Sequence, residues 1–241
     1  MMNHGINANN IYSQDDNPLK DIKKPHSMGT TIMAIKINGG VIVAADSRTS
    51  TGAYIANRVS QKLTPIHDRV YVCRSGSAAD TQAISDYVKY YTAIHSMENS
   101  SLVKPKEETL PLVSTVATLF QRFCYEYRNN LMAGIIVAGW DQEKGGSVYN
   151  IPLGGAKIEV PYTSGGSGSV FIYGYCDRNY KENMSVEEGK KFISEAISLA
   201  MARDGSSGGI IRMAVITKEG INHSTFTPHG QQNRLPAFHE D

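Results

Sequence analysis

The spacing of apolar positions switches between strand-like and helix-like periods, and the switches mark the elements of the chain. Thr31–Ile37 is rich in β-branched and apolar residues and runs into Asn38-Gly39-Gly40, a hairpin-turn signal. Val41–Ala45 predicts a continuous apolar strand, followed by residues 46–62, which are polar with small and hydroxyl side chains. Val70–Arg74 predicts another short strand, ending near Gly76. Ser77, with Asp80 in capping-box spacing, opens a helix on which Ile84, Tyr87, Val88, Tyr91 and Ile94 recur with helical period. Residues 97–111, with Asn99-Ser100-Ser101 and two prolines, predict a surface loop. Val113, Val116, Ala117, Phe120, Cys124 and Tyr127 then line one face of a second helix.

Leu131–Trp140 is apolar, with Gly134 and Gly139 permitting close backbone approach, and returns as strand 147–152 after a turn at 141–146. Ser185 and Glu188 form a capping box that opens a helix to about Arg203. Ile210–Thr217 and Ile221–Thr227 predict a terminal hairpin around Glu219-Gly220, and residues 228–241 are a polar tail. The order is strands, two helices, strands, helices, strands. Turns that join neighbouring strands imply antiparallel pairing, so the pattern predicts a layered α+β domain with helices packed on sheets.

Composition narrows the class. With 241 residues and 41% hydrophobic content the chain can bury a sizeable core, and a net charge of +1 gives no electrostatic case for nucleic acid or a membrane surface. Three widely spaced cysteines, Cys73, Cys124 and Cys176, fit buried thiols in a reducing compartment better than a disulfide framework. No Cys/His cluster has metal spacing. Residues 1–28 are polar and lack the apolar core of a secretory signal, and they are too acidic and too poor in arginine for a transit peptide. The expectation is a soluble intracellular protein with a disposable leader over residues 1–29.

The dipeptide Gly29-Thr30 gives that leader a chemical meaning. If the bond is cut, Thr30 carries a hydroxyl nucleophile and an α-amine base on one residue. The amine has a reference pKa of about 7.7–8.0, and a nearby ammonium would disfavour its protonation. Lys62 is the candidate for that cation. Asp46 ends an apolar strand, where a carboxylate needs a partner, and either Lys62 or Arg48 could supply it. Gly76, after a strand, could present an unshielded N–H to an oxyanion, or simply serve the turn into the helix. Gly165-Gly166-Ser167-Gly168-Ser169 lacks the lysine of a phosphate loop. Asp204-Gly205-Ser206-Ser207-Gly208-Gly209 closes a helix and adds a carboxylate and two hydroxyls for a polar network. A histidine triad through His67 or His95 has no nucleophile elbow to serve.

Taken together, Gly29-Thr30-Thr31, Ala44-Ala45-Asp46-Ser47-Arg48, Ser60-Gln61-Lys62, Gly76-Ser77-Ala78-Ala79-Asp80, the GGSGS segment and Arg203-Asp204-Gly205-Ser206-Ser207-Gly208-Gly209 resemble the catalytic β subunits of the 20S proteasome, in family order from about Thr30 to about residue 225. The resemblance implies the four-layer αββα N-terminal nucleophile hydrolase sandwich, two antiparallel sheets between helices. It implies a propeptide over 1–29 and a β-subunit domain over 30–241. Tyr54-Ile55-Ala56-Asn57-Arg58, Leu63-Thr64-Pro65-Ile66-His67-Asp68-Arg69, Cys73-Arg74-Ser75-Gly76 and Leu131-Met132-Ala133-Gly134-Ile135-Ile136 look like the caspase-like subunit, which cleaves after acidic residues.

The roles this resemblance implies are specific. Thr30 is the nucleophile and base, Lys62 and Asp46 are a proton network, and Ser167, Asp204 and Ser207 support the amine. Gly76 is the oxyanion donor, and backbone near Ser50 and Gly76 holds substrate as an added strand. Arg74 pairs with the substrate carboxylate, and self-cleavage occurs between Gly29 and Thr30. It further implies no metal or organic cofactor, partnership with other α and β subunits in a four-ring core particle and with regulatory caps, unfolded polypeptide substrates delivered after ubiquitin tagging, and location in cytoplasm and nucleus. Two other readings stand beside it: a non-catalytic β subunit that only builds the ring, and a different N-terminal nucleophile amidase acting on small molecules. The 97–111 connection is longer than this subunit type leads one to expect.

Overall fold

The computed structural model describes residues 29–51, 54–99 and 110–227. The leader before Gly29, the tail 228–241 and most of the 97–111 connection therefore lie outside the described residues.

Two five-stranded antiparallel sheets form the centre. The first has the order β10-β1-β2-β11-β12, from β1 (Ile32–Ile37), β2 (Gly40–Ala45), β10 (Tyr162–Gly165), β11 (Ile211–Thr217) and β12 (Gly220–Phe226). The second has the order β5-β6-β7-β8-β9, from β5 (Leu63–His67), β6 (Val70–Gly76), β7 (Ala133–Asp141), β8 (Gly145–Ile151) and β9 (Ile158–Glu159). A separate hairpin pairs β3 (Thr49–Thr51) with β4 (Tyr54–Asn57).

The alternation of side chains along each strand explains the layering. On β1, Ile32 and Ala34 face the second sheet and meet Cys73, Ile136, Ala138 and Val148. Met33, Ile35 and Ile37 face the other way, onto Phe192, Ile193, Ala196 and Ile197 of α4 (Val186–Arg203) and Cys176 of α3 (Tyr173–Asn179). On the far side of the second sheet, Val72, Ile135, Val137 and Ile151 pack against Ile84 and Val88 of α1 (Ala78–Asn99) and Val116, Phe120 and Cys124 of α2 (Val113–Glu126). The layers therefore run helices, sheet, sheet, helices, as the sequence pattern and the resemblance imply. β1 and β2 read as continuous apolar runs because both of their faces are covered.

Several local expectations change. Ser77 caps α1 by accepting the Asp80 N–H, but the Asp80 carboxylate accepts the Met132 N–H and does not close a box. The buried stripe of α1 is Thr81, Ile84, Ser85, Val88 and Thr92, while Tyr87 and Tyr91 are exposed. The hydroxyls of Thr81 and Ser85 can be buried because they donate to carbonyls one turn back. α1 also runs on to Asn99, past the expected start of the loop. Tyr127 lies just beyond α2 and is exposed. The box of Ser185 and Glu188 at the start of α4 is complete.

Candidate active site

The site lies where β1 begins and four connections converge on it. Thr30 leads into β1 and is 4% exposed. Its N–H donates to Ser167 Oγ at 3.2 Å, and its Oγ1 donates to the Gly29 carbonyl at 2.7 Å. The glycine-rich segment after β10 wraps this residue. Gly168 N–H donates to the Thr30 carbonyl at 3.2 Å. Gly166 has φ +84°, and a Cβ there would lie 2.1 Å from the same carbonyl oxygen. Gly29 is required for a steric reason of its own, since an added Cβ would sit 1.8 Å from Ser206 Cβ.

Lys62, between β4 and β5, and Asp46, at the end of β2, form one buried half of the site. The Lys62 ammonium donates to Asp46 Oδ1 at 2.6 Å, to the Arg48 carbonyl at 2.6 Å and to the Gly29 carbonyl at 3.4 Å. Its three protons thus have three acceptors. Asp46 is 0% exposed and accepts Thr31 N–H and Lys62 on Oδ1, and Arg48 N–H and Gly208 N–H on Oδ2. Of the two candidate partners for Asp46, Lys62 supplies the side-chain charge. Arg48 supplies only its backbone N–H, because its guanidinium donates to the Gly205 carbonyl. Burial lowers the Lys62 pKa below the ordinary lysine value, and the adjacent Asp46 and more distant Asp204 charges only partly oppose it.

The other half is built on Asp204, which caps the C-terminal end of α4. Asp204 Oδ2 accepts from Ser167 Oγ and Ser207 Oγ, both at 2.6 Å, and Oδ1 accepts Ser206 N–H at 3.0 Å. Burial alone would push this carboxyl up. The Ser167 and Ser207 hydroxyls, the Ser206 N–H and the Lys62 charge outweigh it and hold the pKa below the usual aspartate value. Ser167 therefore connects the Thr30 nitrogen directly to an ionised carboxylate.

Around this centre, Gly76 ends β6 with φ +99° and lines a cleft of about 470 Å³ together with Ser75, Gly166 and Ser167. Arg74, two residues earlier, does not line that cleft. Its guanidinium Nη2 donates to the Gln61 carbonyl at 2.9 Å, its Nε is buried without a partner, and its N–H donates to the Lys62 carbonyl. Ser50 is buried, and its hydroxyl donates to the Ser206 carbonyl, bracing the 204–209 loop. His67 is occupied elsewhere: Nδ1 accepts the Arg69 N–H and Nε2 faces the Pro111 carbonyl. The structure thus gathers Thr30, Asp46, Lys62, Ser167, Asp204 and Ser207 into one network and sets Gly29, Ser50, Gly76 and Arg74 around it. Sequence reasoning did not single out Thr31 and Gly168 as members of this network, although both stand inside segments that it quoted.

A family model described as "Proteasome subunit" matches residues 26–216. The chain is 55% identical over 213 residues to "Proteasome subunit beta type-6" of Dictyostelium discoideum, covering 88% of this chain and 94% of that one. It is 52% identical over 214 residues to "Proteasome subunit beta type-1" of Saccharomyces cerevisiae, covering 89% and 94%. It is 46% identical over 213 residues to "Proteasome subunit beta type-9" of Homo sapiens, covering 88% and 91%.

Proposed function

Starting from the chain's membership of the proteasome β-subunit family, whose members assemble with other α and β subunits in a core particle, we propose that it is a catalytic subunit, a threonine endopeptidase. The observation that carries this is the setting of Thr30: a hydroxyl and a nitrogen on one buried residue, with Lys62–Asp46 on one side and Ser167–Asp204–Ser207 on the other. In the uncut chain the Thr30 nitrogen is an amide and cannot act as a base. The Thr30 hydroxyl attacks the Gly29 carbonyl, against which it already lies, while Lys62 polarises the carbonyl oxygen. The acyl group moves from nitrogen to oxygen as the C–N bond breaks and the hydroxyl proton passes to the departing nitrogen. Water then hydrolyses the ester to a Gly29 carboxylate and the restored Thr30 hydroxyl. This removes residues 1–29 and frees the amine.

The mature residue then uses its amine to take the hydroxyl proton during attack on a substrate peptide bond. Ser167 and Asp204 orient that amine, and Gly76 at the cleft wall donates to the oxyanion. Substrate is held as an added strand near Ser50 and Gly76. The Arg74 guanidinium, with a buried Nε that lacks a partner, receives the carboxylate of an acidic residue before the cut. The substrates are unfolded polypeptides, and the particle, with its regulatory caps, acts in cytoplasm and nucleus.

The test has two arms on assembled particles containing this chain. N-terminal sequencing is expected to find Thr30 first; a start near Met1 in complete particles overturns the catalytic reading. Arg74→Met is expected to lower kcat/KM on peptides with an acidic residue before the cut by about tenfold or more, with Thr30 still labelled by a threonine-directed electrophile. An unchanged preference removes Arg74 from the specificity role.

A further inference from the structure

Thr31, the residue after the nucleophile, is bonded to both halves of the site. Its N–H donates to Asp46 Oδ1 at 2.9 Å, the oxygen that also receives Lys62. Its side-chain Oγ1 lies 2.8 Å from Ser207 Oγ, which in turn lies 2.6 Å from Asp204 Oδ2. The direction of these hydrogen bonds follows from the inventory of protons. An ionised Asp204 only accepts, so the Ser207 proton points to it. Ser207 Oγ is then left to accept, and Thr31 is the donor. The chain of donors runs Thr31 to Ser207 to Asp204, and Asp204 is shared with Ser167, the partner of the Thr30 nitrogen.

A second feature of the fold is shaped around the same hydroxyl. A Cβ at Gly168 would come within 2.0 Å of Thr31 Oγ1, 3.1 Å of Ser207 Oγ and 3.2 Å of Asp204 Oδ2. The glycine backbone closes over this cluster where no side chain fits. Thr31 is 0% exposed and Ser207 1% exposed, so bulk water cannot take over the hydrogen bond. The β-branched side chain also has few χ1 wells, which fixes the hydroxyl's direction.

We propose that Thr31 is a positioning residue for the chemistry at Thr30: its hydroxyl holds Ser207 in the orientation that donates to Asp204, while its N–H fixes Asp46 under Lys62. This rests on the reading of Thr30 as nucleophile given above. Because Thr31 follows Thr30 directly, just before β1, any rotation of the backbone at this point disturbs both carboxylates together. Thr31 thereby keeps the amine support and the lysine support in register.

Thr31→Val keeps the shape and removes the hydroxyl; Thr31→Ser keeps the hydroxyl and removes the methyl. Both are assembled into full particles, N-terminal sequencing verifies the start at Thr30, and kcat and KM are measured on a peptide with an acidic residue before the cut. The positioning role predicts kcat reduced about tenfold or more in Thr31→Val with KM within about twofold, and Thr31→Ser within about threefold of wild type. A packing role predicts the reverse order. Val at wild-type kcat, or Ser impaired as much as Val, overturns the proposal. If the Val chain does not assemble, Thr31→Ala takes its place beside Thr31→Ser, since both lack the methyl and only Ser keeps the hydroxyl. The expectation is then a kcat reduced about tenfold or more in Ala relative to Ser, and equal kcat overturns the proposal. Absence of Thr30 labelling in the wild-type particle sinks the reading of Thr30 itself. Wild-type labelling with an unimpaired Val variant sinks only the role of Thr31.

Discussion

At the scale of the residue, the site is two buried carboxylates that make different use of one problem. A carboxylate removed from water must be satisfied by donors. Asp46 takes three backbone N–H groups and the Lys62 ammonium, whereas Asp204 takes two hydroxyls and one N–H. Asp46 therefore fixes a charge, and Asp204 fixes hydroxyls that can reorient. If the chain acts as proposed, with Thr30 freed as nucleophile and base, this division predicts its pH profile. The Thr30 amine must be neutral to act as base, so it sets the acid limb of kcat/KM. Lys62 must stay charged, so it sets the alkaline limb. Burial lowers the Lys62 pKa from its ordinary 10.5, so a proton is lost at lower pH than for an exposed lysine and the alkaline limb falls below 10.5. A limb at or above that value counts against a charged, buried Lys62. Lys62→Ala leaves Asp46 its three backbone donors, so the fold is expected to survive while kcat falls by about 10²–10⁴; loss of particle assembly together with activity would instead make Lys62 a structural residue.

At the scale of the element, what the sequence shows and what it hides follow from how each segment is covered. β1, β2, β7 and β11 were legible because their apolar runs are long, and β12 because the Glu219-Gly220 turn folds it back beside β11. α4 was legible because the Ser185–Glu188 box marks its start. β5 was hidden: it sits at a sheet edge, tolerates Pro65 there, and a bulge breaks its alternation so that only Leu63 and Ile66 are buried. β3 and β4 lie in a segment of hydroxyl residues with no apolar period, and α3 buries only Cys176. α1 shows the right period with a misread phase, because its buried stripe uses threonine and serine. The candidate site residues were legible as motifs, while the hydrogen bond between Thr31 and Ser207 was not, since no spacing rule links residues 31 and 207. The glycines connect element to site. Gly166→Ala combines φ +84° with a Cβ 2.1 Å from the Thr30 carbonyl, so Thr30 must shift. The expectation is a loss of about 10² or more in kcat. Gly39→Ala is the control: φ is +78° with nothing within 4 Å, so it should cost about 1–2 kcal/mol of stability and no activity. Equal effects of the two on kcat would mean that backbone strain, not the fit against Thr30, is what matters at Gly166.

At the scale of the whole molecule, this chain is a subunit, and its surface is consistent with that. Tyr87, Tyr90 and Tyr91 stand exposed on α1, and Val170, Phe171, Tyr173 and Leu199 on the opposite helical side. Apolar surface in such amounts suits contact with neighbouring subunits. Assembly also bears on the proposed removal of residues 1–29, because in a ring the cut can be made by the chain's own threonine or by a neighbour's. The function proposed above has it made by the chain's own threonine. Gly29 lies against Ser206 with no room for a Cβ, and its carbonyl receives both Thr30 Oγ1 and Lys62. Thr30→Ala removes the attacking oxygen, together with the γ-methyl, and leaves Lys62, Asp46 and Asp204 unchanged. Particles built with it are expected to retain residues 1–29 on this chain, whereas Thr30→Ser, which keeps a hydroxyl, is expected to release them. Intact-mass measurement of the subunit reads both. Loss of residues 1–29 at Gly29 from every Thr30→Ala chain would show that the cut comes from outside. The hydrogen bond between Thr30 and Gly29 would then be a feature of the precursor's fold and no part of its chemistry.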